Sequence, residues 1–319
     1  HGQTAQMRRC RNREASMAAG YKTYRAMEQA VKAAAKASGR DVNKAIQAFY
    51  HDRFLCRVFS TNSPSFILKG GQSMLARIPN ARETRDIDLI GRTSDIDEAL
   101  EKLIDAASID LDDFVKFRFK DKRQTDTSQD YCEGYTVTFE TWLGGISQKG
   151  VISIDLVVDA LPPEEFDIVA PVSRIEIDGV KTFSYLTYTA ENRIAEKVCA
   201  TMQDYNGHPS SRVKDLADLI TSMINEEVDA DKLSRLISTE RRLRGINRID
   251  QFSVPRSWKD TLSGNYAKLA KEAALPGELS DVEDAEAAVS AWLSPVFSGD
   301  ASGKTWIPEG RQWANGRAS

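Results

Sequence analysis

Two short stretches carry residue types suited to handling phosphates. In Phe66-Ile67-Leu68-Lys69-Gly70-Gly71 an apolar run reads as a short buried strand that ends in a lysine and two glycines. Gln72-Ser73-Met74-Leu75-Ala76 then suits the opening of a helix. A strand that passes through glycines into a helix N-terminus makes an anion site. The glycines let the backbone approach a phosphate, and the first free N–H groups point at it. In Arg85-Asp86-Ile87-Asp88-Leu89 the alternation puts both carboxylates on one face of a strand and turns Ile87 and Leu89 to the core. Adjacent carboxylates repel, and they stay ionised comfortably beside a cation. Hard oxygen ligands of this kind suit Mg²⁺ holding a nucleotide's phosphates. Singly, a Gly-Gly turn is most often just a turn and an Asp-x-Asp pair a solvated strand end. Their succession carries the expectation.

A third carboxylate lies further on. Asp155 interrupts the β-prone run Ile152-Ser153-Ile154-Asp155-Leu156-Val157-Val158, where leaving it buried and unpaired would be costly. Two readings stand: an active-site carboxylate, or an edge-strand Asp facing water. Asp159 is nearer the following turn. Beyond Thr189 the pattern turns helical, with Ile194, Val198 and Met202 along one side and Arg193 and Lys197 one turn apart on another. Ser210-Ser211 can cap the next helix. Its Val213, Leu216, Leu219, Ile220 and Met223 face the core, while Lys214 and Asp218 share a polar side with Asp215 adjacent. From the residues alone these are two amphipathic helices with solvated charges.

The lysine-glycine turn, Arg82-Glu83-Thr84-Arg85-Asp86-Ile87-Asp88-Leu89, the helix carrying Glu196-Lys197 and the run Arg212-Val213-Lys214-Asp215-Leu216 occur in that order. Together they resemble the AbiEii/AbiGii-type nucleotidyltransferase toxins, which include the MenT toxins, within the DNA polymerase β-like superfamily. The likeness covers roughly residues 40 to 225. It implies a Mg²⁺-dependent transfer of a nucleoside monophosphate from an NTP, with Asp86, Asp88 and Asp155 as metal ligands and Asp155 alternatively the base for the attacking hydroxyl. It implies that Lys69, Gly70, Gly71 and Ser73 cradle the triphosphate and that Arg85 and Lys214 contact the nucleotide. Lys197 would neutralise phosphate charge, and Asp215 would orient Lys197 or the nucleophile. Many relatives carry Gly-Ser at the phosphate turn where this chain has Gly70-Gly71, with Ser73 two residues on. By resemblance the protein is a cytoplasmic toxin with a cognate antitoxin, its acceptor the 3′ end of tRNA and its effect a block of translation. A protein hydroxyl, a small-molecule acceptor and a non-catalytic nucleotide-binding scaffold are the other readings.

Around these residues the chain reads as α+β. N-terminal helices (1–60) would pack on a catalytic domain with a mixed β-sheet and flanking helices (61–188), followed by a mostly helical C-terminal region (189–319) that contributes Lys197 and Asp215. A helical stripe runs through Met17, Tyr21, Tyr24, Met27 and Val31, and a second helix runs from Val42 to Phe59 with Asp41 as cap. Ser94 would cap a helix from Asp95 to Ala107. Asp113 to Phe119 is a strand and Asp121 to Asp130 a hairpin tip. Tyr135–Glu140 and Val151–Val158 are antiparallel strands, Ile175–Gly179 is a hairpin, and Leu279 to Phe297 is a further helix. Thr305 to Ser319 docks in extended form. Thr84 would share the face of Asp86 if that strand extended so far, where phosphorylation would set negative charge beside the carboxylates.

The 319 residues are 41% hydrophobic and 28% charged with a net charge of −4, which neither marks nor excludes a nucleic-acid binder. The densest basic patch is Arg241, Arg242, Arg244 and Arg248, suited equally to an RNA backbone or to local acids. No apolar run approaches a membrane span, and the Arg-rich start has no secretory h-region. Cys10, Cys56, Cys132 and Cys199 lack metal spacing and read as reduced. The only histidines, His1, His51 and His208, argue against a His-ligated metal or a Ser-His-Asp hydrolase.

Overall fold

The structure is a computed structural model that describes residues 20–79, 81–125, 132–159 and 165–315. Seven strands form its main sheet: β1 (Phe66–Lys69), β2 (Ile87–Gly91), β3 (Val115–Gln124), β4 (Cys132–Leu143), β5 (Ser147–Asp159), β6 (Asp167–Val169) and β7 (Tyr185–Thr187). Their order is β3-β4-β5-β2-β1-β7-β6. β2 runs parallel to β5 and β1 to β7, while the other neighbours are antiparallel, so the sheet is mixed.

Alternation decides which face each strand buries. Leu68, Ile87, Leu89, Val137, Phe139, Ile154 and Leu156 are fully buried on one face. Against them lie α1 (Tyr24–Ala37), α2 (Val42–Val58) and α4 (Ile96–Ser108), with α3 (Gly70–Arg77) between β1 and β2. Phe54 of α2 meets Phe117 and Phe139 with ring centroids 5.1 and 5.2 Å apart. Asp41 caps α2 as expected, accepting from the Lys44 N–H at 2.9 Å. The cap of α4 is Asp95, which accepts from the N–H groups of Asp97 and Glu98, and not Ser94. Carboxylate and hydroxyl caps are near-equivalent, so neighbouring candidates are not separable by type. The expected hairpin at Ile175–Gly179 is absent. Ile175 and Ile177 are buried in the core without strand pairing, and β6 pairs with β7 instead. β3 runs on to Gln124, through the start of the expected hairpin tip; residues 126–131 lie outside the described ones, as do Cys10 and Met17.

A second cluster of buried apolar residues begins at Ala190. It is built on α5 (Ala190–Met202), α6 (Val213–Asn225), α7 (Ala230–Leu243), α8 (Ser263–Glu272) and α9 (Val282–Ser298). A hairpin, β8 (Asp204–Tyr205) with β9 (His208–Pro209), joins α5 to α6. This region is not wholly helical. β10 (Val228–Asp229), β11 (Lys304–Ile307) and β12 (Gln312–Asn315) form a small antiparallel sheet. It seats the extended tail: Trp306 lies between Trp292 and Trp313 and donates to the Met223 carbonyl at 2.7 Å. Among the described residues no helix is long and apolar enough to cross a membrane.

Candidate active site

The register of the central strands places three charged residues side by side. Lys69 pairs with Asp88 across β1 and β2, and Asp88 with Asp155 across β2 and β5. Directly opposed residues share a face, so all three project from the side of the sheet opposite α1, α2 and α4. Thr136 of β4 continues the row and donates from its hydroxyl to Asp155 Oδ1 at 3.0 Å. The alternation in β2 therefore holds, with Ile87 and Leu89 buried behind the carboxylate of Asp88. The strand, however, starts at Ile87. Asp86 stands exposed just ahead of it, and Thr84 further back, so neither is a strand residue.

Both glycines of the turn are there for close approach. Gly70 has φ +63°, and a Cβ on it would stand 1.9 Å from Asp88 Oδ2. A Cβ on Gly71 would stand 2.8 Å from the Cβ of Thr84. The first lets the carboxylate lie on the start of α3; the second lets the returning segment 81–86 pass over the helix. That contact leaves no room for a side chain at position 71. Ser73 does not replace the missing hydroxyl in the cleft. Its side chain is fully buried and donates to the Gly70 carbonyl at 2.9 Å. Arg85 is exposed and lines a different cavity, on the far side of α3 with His51 and Gln72.

The helices after Thr189 close the cleft with a chain of ion pairs. Lys197 Nζ lies 3.0 Å from Asp215 and 2.6 Å from Asp218. Arg212 holds the other oxygen of Asp215 at 2.6 Å, and Arg82 grips Asp218 through both oxygens at 2.7 and 2.8 Å. Asp218 is therefore buried and doubly bonded, not solvated, and Arg193 is buried against Glu226 instead of sharing an open face with Lys197. Helix α6 starts after Arg212. Ser210 Oγ accepts from the Arg212 N–H at 3.3 Å, outside the helix, and Arg212 itself holds the cap position with no side-chain cap bond, so neither Ser210 nor Ser211 caps α6. Burial works against ionising Asp215, but Lys197 and Arg212 outweigh it and hold the carboxyl far below the usual range. Lys69 finds its own partner in Glu196, 3.3 Å away.

These groups surround one cleft of about 280 Å³. Lys69, Gly70, Gly71, Asp86, Asp88, Asp155, Lys197, Lys214 and Asp215 all line it; the first six were candidates by residue type and spacing, the last three by the family resemblance alone. Arg82, Thr125, Glu196, Tyr205, Arg212 and Arg244 line it as well and were not anticipated. Glu196 sits inside the Glu-Lys motif, which was the one signal available for it. The dense arginine run divides: Arg244 turns to Glu240 and Gln203 and into the cleft, Arg248 pairs with Asp250, and Arg242 is exposed and donates to the Ser238 carbonyl.

The cleft's electrostatics bear on whether Mg²⁺ fits. Burial pushes the Asp88 carboxyl up to about 6, Lys69 opposing and Asp155 and Glu196 adding to the rise. Asp155 is raised too, by burial and by the charge of Asp86, against the Thr136 hydrogen bond. Among the described residues no three His, Cys, Asp or Glu side chains form a ready-made cage. Mg²⁺ is ordinarily held by one or two carboxylates plus waters and substrate phosphates, so two carboxylates on adjacent strands beside an open cleft fit it.

A mixed sheet with an Asp-bearing central row, a glycine turn against the carboxylate and a cleft closed by helical Lys and Asp define a nucleotidyltransferase-like class of site. Residues 53–291 match the family model described as nucleotidyl transferase AbiEii toxin, type IV TA system. The chain belongs to this family of toxin–antitoxin nucleotidyltransferases. Among solved structures it is similar to the crystal structure of JHP933 from Helicobacter pylori, at 18% identity and a TM-score of 0.43, over 79% of this chain and 93% of that one. A second H. pylori crystal structure is similar at 17% identity and a TM-score of 0.43, over 79% and 96%. No curated protein matches.

Proposed function

We propose that this toxin transfers a nucleoside monophosphate from an NTP to the 3′-terminal hydroxyl of tRNA and so blocks translation until a cognate antitoxin intervenes. The observation that carries the reading is the in-register row Lys69–Asp88–Asp155, with Gly70 pressed against the Asp88 carboxylate at the mouth of the cleft. The tRNA acceptor and the cytoplasmic setting rest on the likeness to the MenT branch.

In this reading Asp88 and Asp155, assisted by the exposed Asp86, would hold Mg²⁺, and the ion would supply positive charge to offset that of the triphosphate and the reacting phosphoryl group. Lys69 and the free N–H groups at the start of α3 take the phosphate oxygens. The acceptor hydroxyl oxygen bonds to the α-phosphorus as the bond to the bridging oxygen breaks and pyrophosphate leaves. In the alternative in which Asp155, steadied by Thr136, acts as base, it takes the hydroxyl proton and leaves the metal to Asp86 and Asp88. Lys197, anchored by Asp215 and Asp218, and the exposed Lys214 face charge building on the departing oxygens.

The test is incubation with Mg²⁺, total tRNA and each α-labelled NTP in turn, beside Asp88→Asn. Label on tRNA from one NTP, lost in the variant, is the expected result and gives the base preference. Label on a protein or small molecule instead would overturn the tRNA acceptor. No label on any acceptor would make the protein a non-catalytic scaffold.

A further inference from the structure

Strand β3, Val-Lys-Phe-Arg-Phe-Lys-Asp-Lys-Arg-Gln, forms one edge of the main sheet and is basic within an acidic protein. Lys116, Arg118, Lys120, Lys122 and Arg123 are all exposed. A bulge after Phe119 divides them between faces. Lys116 and Arg118 oppose Trp142 and Glu140, whose neighbours Thr141 and Leu143 are buried, so both cations lie on the catalytic face. Beyond the bulge Arg123 opposes Thr136 and so joins the row Thr136–Asp155–Asp88–Lys69. Lys122 turns to the other face and binds Asp97 at 2.8 Å.

Helix α4 packs against β3 and β4, and the apolar side chains it meets belong to the core face. On the catalytic side the sheet is open: Thr136, Thr138, Trp142 and Ser153 are half-buried and Val151 is 50% exposed. The guanidinium of Arg118 lies 4.6 Å from the Trp142 ring, while Trp142 Nε1 donates to Glu140 at 3.1 Å. Glu140 and Asp121 are the acids of this face, against Lys116, Arg118, Arg123 and the bulge residue Lys120. Charges on an edge strand guard against aggregation, and either sign serves that end. Here almost all are positive, and the cationic line ends about two strand spacings, roughly 10 Å, from Asp155.

We propose that the β3 edge and the open face of β3 and β4 are the docking track for a polynucleotide acceptor. Lys116, Arg118 and Lys120 hold its phosphates, the Arg118–Trp142 pair offers a stacking surface, and Arg123 leads the 3′ end to Asp155. This rests on the nucleotidyltransferase reading but assigns a surface remote from the reacting atoms. A free protein acceptor would have no need of a mostly cationic track, with Asp121 3.8 Å from Arg123 as one of its two acids, in line with the catalytic row.

The test compares wild type with Lys116→Ser/Arg118→Ser/Lys120→Ser and with Lys116→Ser/Lys120→Ser, which spares the Trp142 contact. Binding of tRNA is measured across salt concentrations, together with KM for tRNA and for NTP. The triple variant is expected to raise KM for tRNA about tenfold or more and to flatten the salt slope by about 2 to 3, since each lost phosphate contact removes roughly 0.7–0.9. The double variant should do proportionally less, and KM for NTP should hold. Unchanged tRNA KM and slope in a labelling-competent protein would overturn the track and leave the transferase reading standing. Wild-type tRNA binding without labelling, lost in the triple variant, would support the track and sink the transferase reading. Polyglutamate bound as tightly as tRNA, and equally weakened in the variant, would overturn it in favour of an acidic protein partner.

Discussion

The protein buries two clusters of arginine and aspartate that differ in one respect. In the first, Asp113 accepts from Arg53 Nε at 2.7 Å, from Arg57 Nη2 at 2.7 Å and Nη1 at 3.1 Å, and from the Val115 N–H at 3.1 Å. The arginines then spend further donors on the carbonyls of Val115 and Lys181. All three side chains are at most 1% exposed, and none lines the cleft. In the second, Arg82–Asp218–Lys197–Asp215–Arg212, the carboxylates are as deeply buried, but Lys197, Arg82, Arg212 and Asp215 open onto the cleft. The closed cluster ties α2 to the start of β3. The open one ties the segment before β2 to helices α5 and α6 while keeping cationic groups beside a place where phosphate charge is to be met. Burial alone does not separate scaffold from site; what the spare donors face does.

The sharpest break in this comparison comes from the row that the open cluster serves. Asp88→Asn is expected to cut transfer by about 10³-fold or more, roughly 4 kcal/mol in the barrier, because a ligand charge is lost where charge must be balanced. Melting temperature should change little. Gly70→Ala should act in the same direction without touching the carboxylate chemically, by pushing Asp88 Oδ2 off the start of α3. Normal activity in Gly70→Ala would deny that the close approach matters.

Removing the closed cluster's acceptor should do the reverse. Asp113→Asn leaves two buried guanidiniums short of a charge partner, expected to cost about 3 kcal/mol of stability. Denaturant unfolding should show the loss while kcat of the folded fraction stays put. A fall in kcat with unchanged stability would mean that the two clusters have been assigned the wrong way round. Asp218→Asn should give a mixture: about 2 kcal/mol of stability, from a charged hydrogen-bond pair, and about a tenfold loss in kcat as Arg82 and Lys197 lose their common anchor. Asp218 is a positioning residue, so Asp218→Glu should recover part of kcat that asparagine does not.

Strand β1, the glycine turn and β2 were legible in the sequence because each rests on strong local signals, period-two apolar residues and a turn that needs glycine, whereas the place of Asp155 beside Asp88 was an expectation from the family resemblance alone, since no local pattern pairs strands so far apart. Asp218 and Arg193 were misread as solvated because helical period alone cannot tell a surface charge from one that meets a distant partner. Arg82 and Asp218 are brought together only by folding. Ser73 and Arg85 sit next to the right residues in sequence, yet a helical turn and a bend direct them elsewhere. Strand β10 is two residues long, and its pairing depends on Trp306 reaching Met223, which no local pattern announces.

The smallest effect is a slope. Burial opposes ionisation of Asp113, but Arg57 and Arg53 outweigh it and hold its carboxyl below the ordinary value. A carboxyl depressed on folding contributes stability that is present above its unfolded pKa, about 4, and lost as pH falls through the folded value. Asp215 and Asp218 are depressed too, so wild type should lose stability on acidification from several groups at once. Those groups remain in Asp113→Asn, and their shares cancel in the difference between the two proteins. The gap in melting temperature between wild type and Asp113→Asn should therefore be constant from pH 7 to about 5 and narrow below about 4. A gap that stays constant down to pH 3 would show that Asp113 does not titrate with folding, and the closed cluster would owe its stability to shape and neutral hydrogen bonding instead of to paired charge.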